Sequence, residues 1–148
     1  MNLKKVMNED VIALDLKGST KEEVISALLD ILMNTGRVKD RDKAMACLLE
    51  REAKMSTGMQ NGVAIPHGKT DAVDELIACV AVKKEAIDFQ SLDGNPSRIF
   101  IMTLSPLYRT GPHIQFLAEI GKLLKESECR EKIIQAGSKK EILDILIQ

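Results

Sequence analysis

At 148 residues and 45% hydrophobic content, the chain can bury one substantial core, and we expect a single domain over residues 1–148. Its 21 basic and 22 acidic residues leave a net charge of −1, which excludes the overall positive field that attracts nucleic acid or an anionic membrane. The longest apolar run, at 76–82, is far too short to cross a bilayer, so we expect no direct membrane insertion.

The N-terminal third of the chain predicts an extended segment followed by two helices. Residues 11–16 form a candidate strand that Gly18 ends. Apolar residues then recur at helical intervals until Gly36, which predicts a helix over about 20–34. Asp40 has the chemistry to cap a second helix. Two capping boxes overlap at the start of the first helix, formed by Ser19 with Glu22 and by Thr20 with Glu23.

Three apolar runs of strand length lie in the middle of the chain, at 63–65, 76–82 and 99–104. The second and third are continuous, which is typical of interior strands covered on both faces. The link between the first two is too short for a crossover helix, so we expect them to be antiparallel or distant in the sheet. A turn of sequence Asp-Gly-Asn-Pro at 93–96 separates the last two.

A long helix and two shorter ones are predicted after the last strand. The long helix begins near Thr110 and continues to about Glu126. Pro112 is acceptable at its first helical position, where the missing N–H would have been unpaired anyway, and His113 then falls in the first turn. One shorter helix begins at Ser127 and ends at Gly137, and the other follows a capping box of Ser138 and Glu141.

The alternation of helices and strands places the chain in the α/β class. Helices occur before and after apolar strands that need cover on two faces, which favours a three-layer sandwich. An all-parallel doubly wound sheet fits less well, because the short link after 63–65 leaves no room for a crossover helix. We therefore expect a mixed β-sheet flanked by helices on both faces.

One of only two histidines follows a short apolar strand, within the run Gly-Val-Ala-Ile-Pro-His-Gly at 62–68. Pro66 fixes its own φ and pushes Ile65 toward extended geometry. Gly68 lets the chain pass close to whatever His67 contacts. We expect His67 on a turn at the rim of the sheet, with its side chain pointing outward. A histidine taken at random is more often structural than catalytic, so the surrounding motif decides its interpretation.

The stretch REAKMSTGMQNGVAIPHG at 51–68 closely resembles the active-site signature of the type-2 enzyme IIA domains of the bacterial phosphoenolpyruvate-dependent phosphotransferase system. That family includes fructose, mannitol and nitrogen-regulatory members. The resemblance extends over nearly the whole chain, through the two apolar strands to a helix that opens with Pro112 and His113. A lone Pro-His-Gly would be weak evidence, whereas this combination of features, in order and at domain length, is a strong match.

The resemblance implies a phosphoryl carrier, in which His67 accepts the group from the phosphocarrier protein HPr and passes it to an enzyme IIB partner. Neutral imidazole is a good nucleophile near neutral pH, and the family implies Nε2 as the attacking atom. Arg51 corresponds to a family arginine beside the phosphohistidine, where a guanidinium fork suits phosphoryl oxygens. His113 corresponds to a second family histidine, at a helix N-terminus. Ser56 and Thr57 either donate to the phosphate or only cap and turn the backbone.

Plainer alternatives stay open beside these assignments. Arg51 also fits a solvated residue at a helix end, and His113 also fits a structural role. Met55 and Met59 are either core filler or part of a surface that docks more than one partner. At the level of function, the alternatives to sugar uptake are a nitrogen-type regulatory protein, whose phosphorylation state controls binding to target proteins, and an α/β binding module with a degenerate site.

Composition and resemblance also limit cofactors, partners and location. Cys47, Cys79 and Cys129 are far apart and form no C-x-x-C pair, so we expect three small buried hydrophobes in a reducing cytoplasm. A carrier of this kind needs no metal and no organic cofactor. Its partners, HPr and either an enzyme IIB domain or a regulatory target, are expected to bind weakly and briefly.

Overall fold

A mixed five-stranded sheet lies between two layers of helices in the computed structural model, which describes residues 3–148. The strands are β1 (Ile12–Ala13), β2 (Val63–Ala64), β3 (His67–Lys69), β4 (Ile77–Ile87) and β5 (Ser97–Ser105). The helices are α1 (Lys21–Met33), α2 (Arg41–Lys54), α3 (Thr110–Leu124), α4 (Ser127–Gln135) and α5 (Lys139–Ile147), with short 3-10 turns at Leu3–Lys5 and Glu9–Val11. Within this described part of the chain, every helix is too short or too polar to cross a membrane.

The helices form two groups, one on each face of the sheet. α1 and α2 pack against each other and onto β4 and β3, respectively. α3, α4 and α5 pack in a row and contact β5, β4 and β1. Because the central strands are covered on both faces, nearly all side chains of β5 and the first seven of β4 are buried. This is the three-layer α/β sandwich that the sequence predicts.

The sheet has the order β1-β4-β5, and β5 pairs along its other side with both β2 and β3. β4 and β5 are antiparallel, whereas every other pair is parallel, so the sheet is mixed as expected. The apolar runs at 63–65 and 76–82 lie on opposite sides of β5. The expectation that these two runs are antiparallel or distant in the sheet is confirmed, because β5 separates them and they run in opposite directions.

Helix starts were predictable from capping chemistry. The side chains of Thr20, Asp40 and Ser138 each accept a hydrogen bond from a backbone N–H three residues later, as the sequence predicts. The predicted capping box of Ser19 with Glu22 is wrong, because Ser19 donates from its N–H and hydroxyl to the Glu23 carboxylate. Thr20 is the N-cap residue of α1, so Ser19 lies one position before the cap.

Several boundaries differ from the predicted ones. β1 has two residues rather than the expected 11–16. β4 continues past residue 82 to Ile87, because its polar end still pairs with β5 after a shift in register. Pro112 is the third residue of α3 rather than the first, a position whose N–H is also unpaired in a helix. α4 ends at Gln135 rather than Gly137, since Ala136 is already extended.

One hydrophobic cluster joins both helical layers to the sheet. Phe89, Phe100 and Phe116 are its largest fully buried side chains. The cysteines match their prediction only in part, because Cys79 is buried while the other two are half-buried. All three thiols are free.

Candidate functional site

His67 is the first residue of β3, so the prediction that it lies on a turn is wrong. β3 pairs with β5 at Thr103 and continues the sheet edge that β2 begins, after an interruption at Ile65 and Pro66. Pro66 has no N–H to give to the sheet. The N–H of Ile65 instead donates to the carbonyl of Thr57 at 3.0 Å. Long-range pairing with β5, which local turn chemistry does not reveal, therefore fixes the backbone of His67.

One hydrogen bond orients the His67 ring. Its Nδ1 lies 2.8 Å from the carbonyl oxygen of Ile65. A carbonyl can only accept, so Nδ1 carries the ring proton and Nε2 keeps its lone pair. Nε2 has no hydrogen-bond partner within residues 3–148, and the ring lines a cavity. The arrangement presents an unprotonated ring nitrogen to whatever enters that cavity.

His113 forms another wall of the same cavity, from the first turn of α3. The centroids of the two histidine rings are 5.4 Å apart, with the ring planes tilted by 50°. His113 is only 7% exposed. Its Nδ1 lies 3.0 Å from Oγ of Ser105, at the end of β5. The structure therefore brings together the two histidines that the sequence separates by 46 positions.

The cavity has a volume of about 350 Å³ and a mainly basic polar lining. Arg51 and Lys54 reach it from the end of α2, and Lys69 reaches it from β3. One acid, Glu50, lies among these three cations. Basic side chains around a small opening favour a bound anion. The lining consists of Cys47, Glu50, Arg51, Lys54, His67, Gly68, Lys69 and His113.

Two of the cations are held by hydrogen bonds. Nη1 of Arg51 donates to the carbonyl of Met55 at 2.7 Å, just past the end of α2. Nζ of Lys69 donates to Oγ1 of Thr110 at 2.8 Å, at the start of α3. Since a guanidinium has five N–H donors, Arg51 keeps donors in a planar fork for an anion.

Burial lowers the pKa of both histidines below their ordinary value. For His67 the largest cause is desolvation; the positive charge of Arg51 acts in the same direction, while the bond to Ile65 acts against it. For His113, desolvation followed by the charges of His67 and Lys69 lowers the pKa to about 4. Both rings are therefore neutral at pH 7, which is the state in which a ring nitrogen can act as a nucleophile.

Ser56 and Thr57 lie behind the cavity and do not line it. Thr57 is buried, and its N–H and hydroxyl donate to the Glu52 carboxylate at 2.9 and 2.5 Å. The hydroxyl of Ser56 donates to the Phe89 carbonyl at 2.7 Å and accepts from the N–H of Gly58 at 3.0 Å. The structure therefore ties the Ser56 side chain to backbone groups and the Thr57 side chain to Glu52, and neither side chain faces the cavity.

A chain of hydrogen bonds runs from a partly buried ion pair to the His67 ring. Nζ of Lys21 lies 2.8 Å from Glu52, whose side chain is 5% exposed. Glu52 binds Thr57, the Thr57 carbonyl accepts from Ile65, and the Ile65 carbonyl accepts from His67. Glu52 is therefore a supporting residue of the site, although it does not line the cavity.

Four contributors to the site are absent from the sequence prediction: Lys54, Lys69, Glu52 and Ser105. Lys69 follows His67 by two residues on one strand, and this spacing places both side chains on the same face of the sheet. The spacing was therefore the sequence signal for Lys69. Lys54 follows Arg51 by three residues on one helix, which places both on one face. Glu52 and Ser105 act through contacts made only by the folded chain, and no local pattern distinguishes them.

Comparison with known proteins gives a family match. A model of the family described as phosphoenolpyruvate-dependent sugar phosphotransferase system, EIIA 2, matches residues 5–148. A relative from Haloferax volcanii, named PTS system fructose-specific EIIA component, is 39% identical over 139 residues, which are 94% of this chain and 90% of that protein. The matched region contains every residue of the cavity.

Solved structures with similar folds carry more than one kind of name. Nitrogen Regulatory Protein IIA-Ntr from Neisseria meningitidis has a TM-score of 0.91 at 26% identity and covers 97% of this chain and 98% of its own. Enzyme IIAMtl, in a complex with phosphorylated enzyme IIBMtl from Escherichia coli, has a TM-score of 0.81 at 24% identity over 95% and 96% of the two chains. At that lower identity, the second likeness shows the fold alone.

Proposed function

The chain belongs to the EIIA 2 family of the phosphoenolpyruvate-dependent sugar phosphotransferase system, and we propose that it carries a phosphoryl group on Nε2 of His67. The observation that carries this proposal is the 2.8 Å bond between Nδ1 and the Ile65 carbonyl. That bond keeps the ring proton on Nδ1 and leaves the Nε2 lone pair open to the cationic cavity. The phosphoryl donor is phospho-HPr, as the family resemblance implies.

In the loading step, the Nε2 lone pair of His67 attacks the phosphorus of phospho-HPr. The Nε2–phosphorus bond forms while the bond between phosphorus and HPr breaks, and the electron pair of that bond returns to HPr. The His67 ring gains no proton and loses none, because Nδ1 keeps its hydrogen. Arg51 and Lys69 offset the negative charge of the phosphoryl oxygens in the transition state. Transfer to an acceptor reverses these steps with a new nucleophile.

The acceptor that we propose is an enzyme IIB domain, with sugar uptake as the outcome. Support comes from the Haloferax volcanii relative, whose name is fructose-specific, and from the solved complex of a IIA fold with a phosphorylated IIB. Met55 and Met59 are 63% and 39% exposed, so the core-filler alternative is wrong for both. We propose that these methionines contact donor and acceptor in turn, since a flexible thioether side chain adapts to different surfaces.

A regulatory role is the second candidate. Its support is the high structural similarity to a protein named Nitrogen Regulatory Protein IIA-Ntr, at 26% identity. In that role the same phosphohistidine would alter binding to a target protein, and no IIB domain would discharge it. For either role we propose that residues 1–148 act as one domain in the cytoplasm, where three free thiols are stable.

The loading step can be tested with phosphoenolpyruvate, enzyme I and HPr. We expect one phosphoryl group per chain by intact mass, labile in acid and stable in alkali, and none on His67→Ala. The far-ultraviolet circular dichroism of this variant should match the wild type, because the ring is half-buried at the sheet edge. Retention of the label by His67→Ala would contradict the site, and an unlabelled wild-type chain would favour the degenerate binding module.

The acceptor can be tested with the purified phospho-protein. We expect the phosphoryl group to move within seconds to an enzyme IIB domain from the same organism, with the sum of both labels conserved. Labelled IIB should not form from phospho-HPr when this chain is omitted. If every IIB domain of the organism leaves the phospho-protein charged, the regulatory role is favoured and the transport role is wrong.

A further inference from the structure

We propose that Ser105 is a positioning residue that fixes the tautomer of His113, so that Nε2 of His113 carries the ring proton and donates a hydrogen bond to the phosphoryl group on His67. The tautomer follows from the geometry around Ser105. Its use in phosphoryl transfer rests on the proposed function.

The first observation is the complete burial of Ser105. The residue has no exposed surface, and its Oγ lies 3.0 Å from Nδ1 of His113. Nδ1 is the one hydrogen-bond partner of this hydroxyl among residues 3–148. The backbone carbonyl of Ser105 accepts from the N–H of Thr70 at 2.9 Å and makes no bond with the hydroxyl. Any proton on Oγ must therefore be given to His113.

The second step is a count of donors and acceptors. A serine hydroxyl carries one proton, and a neutral imidazole has one N–H nitrogen and one bare nitrogen. If Nδ1 of His113 carried the proton, it would donate to Oγ and the hydroxyl proton would have no acceptor in a buried position. Buried donors are rarely left unpaired, because desolvation is then uncompensated. The hydroxyl therefore donates to a bare Nδ1, and the ring proton of His113 lies on Nε2.

The third step compares this ring with its neighbour. His67 has a carbonyl at Nδ1 and so presents a bare Nε2, whereas His113 has a hydroxyl at Nδ1 and so presents an Nε2–H. Both rings line one cavity with their centroids 5.4 Å apart. Burial keeps His113 neutral at pH 7. The cavity thus holds a nucleophile and an uncharged hydrogen-bond donor, side by side.

The test begins with the nitrogen chemical shifts of uniformly ¹⁵N-labelled protein, which distinguish a protonated from a bare ring nitrogen. The chain contains only two histidines, so His113→Ala assigns both sets of signals. In the wild type we expect the proton of His113 on Nε2 and that of His67 on Nδ1. A His113 proton on Nδ1 would overturn the proposal, whether or not the chain accepts a phosphoryl group.

The variant that removes the hydroxyl is Ser105→Ala. We expect both His113 nitrogen shifts to move toward the averaged values of a mixed tautomer, and loading from phospho-HPr to slow about fivefold. Ser105→Thr should restore both. The matched control is Ser97→Ala, a fully buried serine at the other end of β5 whose hydroxyl lies 3.1 Å from Ser91, and it should change neither measurement.

A double variant separates positioning from a merely structural effect. In a His113→Ala background, Ser105→Ala should slow loading no further, because its only route to the site is gone. An equal slowing in both backgrounds would overturn the proposal, as would wild-type shifts and rates in Ser105→Ala. If the wild type accepts no phosphoryl group, the proposed function fails, and a His113 proton on Nε2 still supports the tautomer assignment.

Discussion

The two histidines share one cavity, but the protein prepares them with different partners. His67 has the carbonyl of Ile65 at Nδ1, and His113 has the hydroxyl of Ser105 there. A carbonyl can only accept a hydrogen bond, whereas a hydroxyl can donate one, and on this basis we propose that the same imidazole ring is a nucleophile in one place and a donor in the other. In this proposal the group that faces Nδ1 of each ring, and not the residue type, determines its chemical role.

The surroundings of the two rings differ as well. A backbone carbonyl cannot be removed by mutation, and the loop that carries it is held by the partly buried pair of Lys21 and Glu52. His113 is held by a single side chain and by the start of α3. The orientation of His67 therefore depends on a hydrogen-bond network, whereas that of His113 depends on one hydroxyl.

The most direct test of separate roles for the two rings is to remove each ring in turn. We expect His67→Ala to abolish loading from phospho-HPr, because no other group supplies the bond to phosphorus. His113→Ala should retain the label on His67 but slow loading about 10- to 100-fold, the range for losing one stabilising donor. Rapid-quench measurement of the labelled fraction distinguishes these outcomes. Equal loss in both variants would mean that the two rings do not have separate roles.

The network behind His67 gives the second prediction. Glu52→Ala leaves the Lys21 ammonium and the Thr57 N–H without their carboxylate, and we expect a loss of about 3 kcal/mol in the free energy of unfolding. The measurement is urea denaturation at pH 7. Glu50→Ala is the matched control, an exposed neighbour on the same helix that should change stability by less than about 0.5 kcal/mol. A Glu52→Ala variant that loses no more stability than Glu50→Ala would contradict the role of the network.

Much of the fold was predictable because its signals are local. Capping at Thr20, Asp40 and Ser138 and two continuous apolar strands predicted the helix starts and the central strands. β3 was not predictable, since its three residues form a strand only because β5 offers a free edge after the interruption at Pro66. A short edge strand has little periodicity of its own, and tertiary pairing decides it.

The same distinction between local signals and tertiary contacts applies to the site. The motif around His67, together with family resemblance, identified His67, Arg51 and His113, and all three line one cavity. What the sequence did not reveal is how each ring is oriented, because Ser105 meets its partner only after β5 and α3 pack. Spacing along the chain predicts which residues share an element, but not which hydroxyl faces which nitrogen.

The third prediction uses pH to compare the rings. The pKa of His113 is about 4 in the folded protein against an ordinary 6.5, so the unfolded chain binds more protons between these values. Stability should therefore fall as pH falls through that window. We expect the wild type to lose about 2 kcal/mol more than His113→Ala between pH 7 and pH 4.5, by urea denaturation at each pH. Parallel curves for the two proteins would show that His113 is not held neutral by burial.

The smallest expected effect concerns the geometry of charge beside the rings. Arg51→Lys keeps the positive charge but loses the fork that binds the Met55 carbonyl and that we propose to bind a phosphoryl oxygen, and we expect loading of His67 to slow about fivefold. Arg41→Lys is the matched control, the same change at the far end of α2, where the guanidinium pairs with Asp30 at 2.9 Å. An unchanged rate of loading in Arg51→Lys would mean that positive charge alone suffices. In that case Lys69 and Lys54 would supply what we attribute to the guanidinium fork. A slowed rate would mean that loading of His67 depends on the directed donors of the Arg51 guanidinium and not on its charge alone.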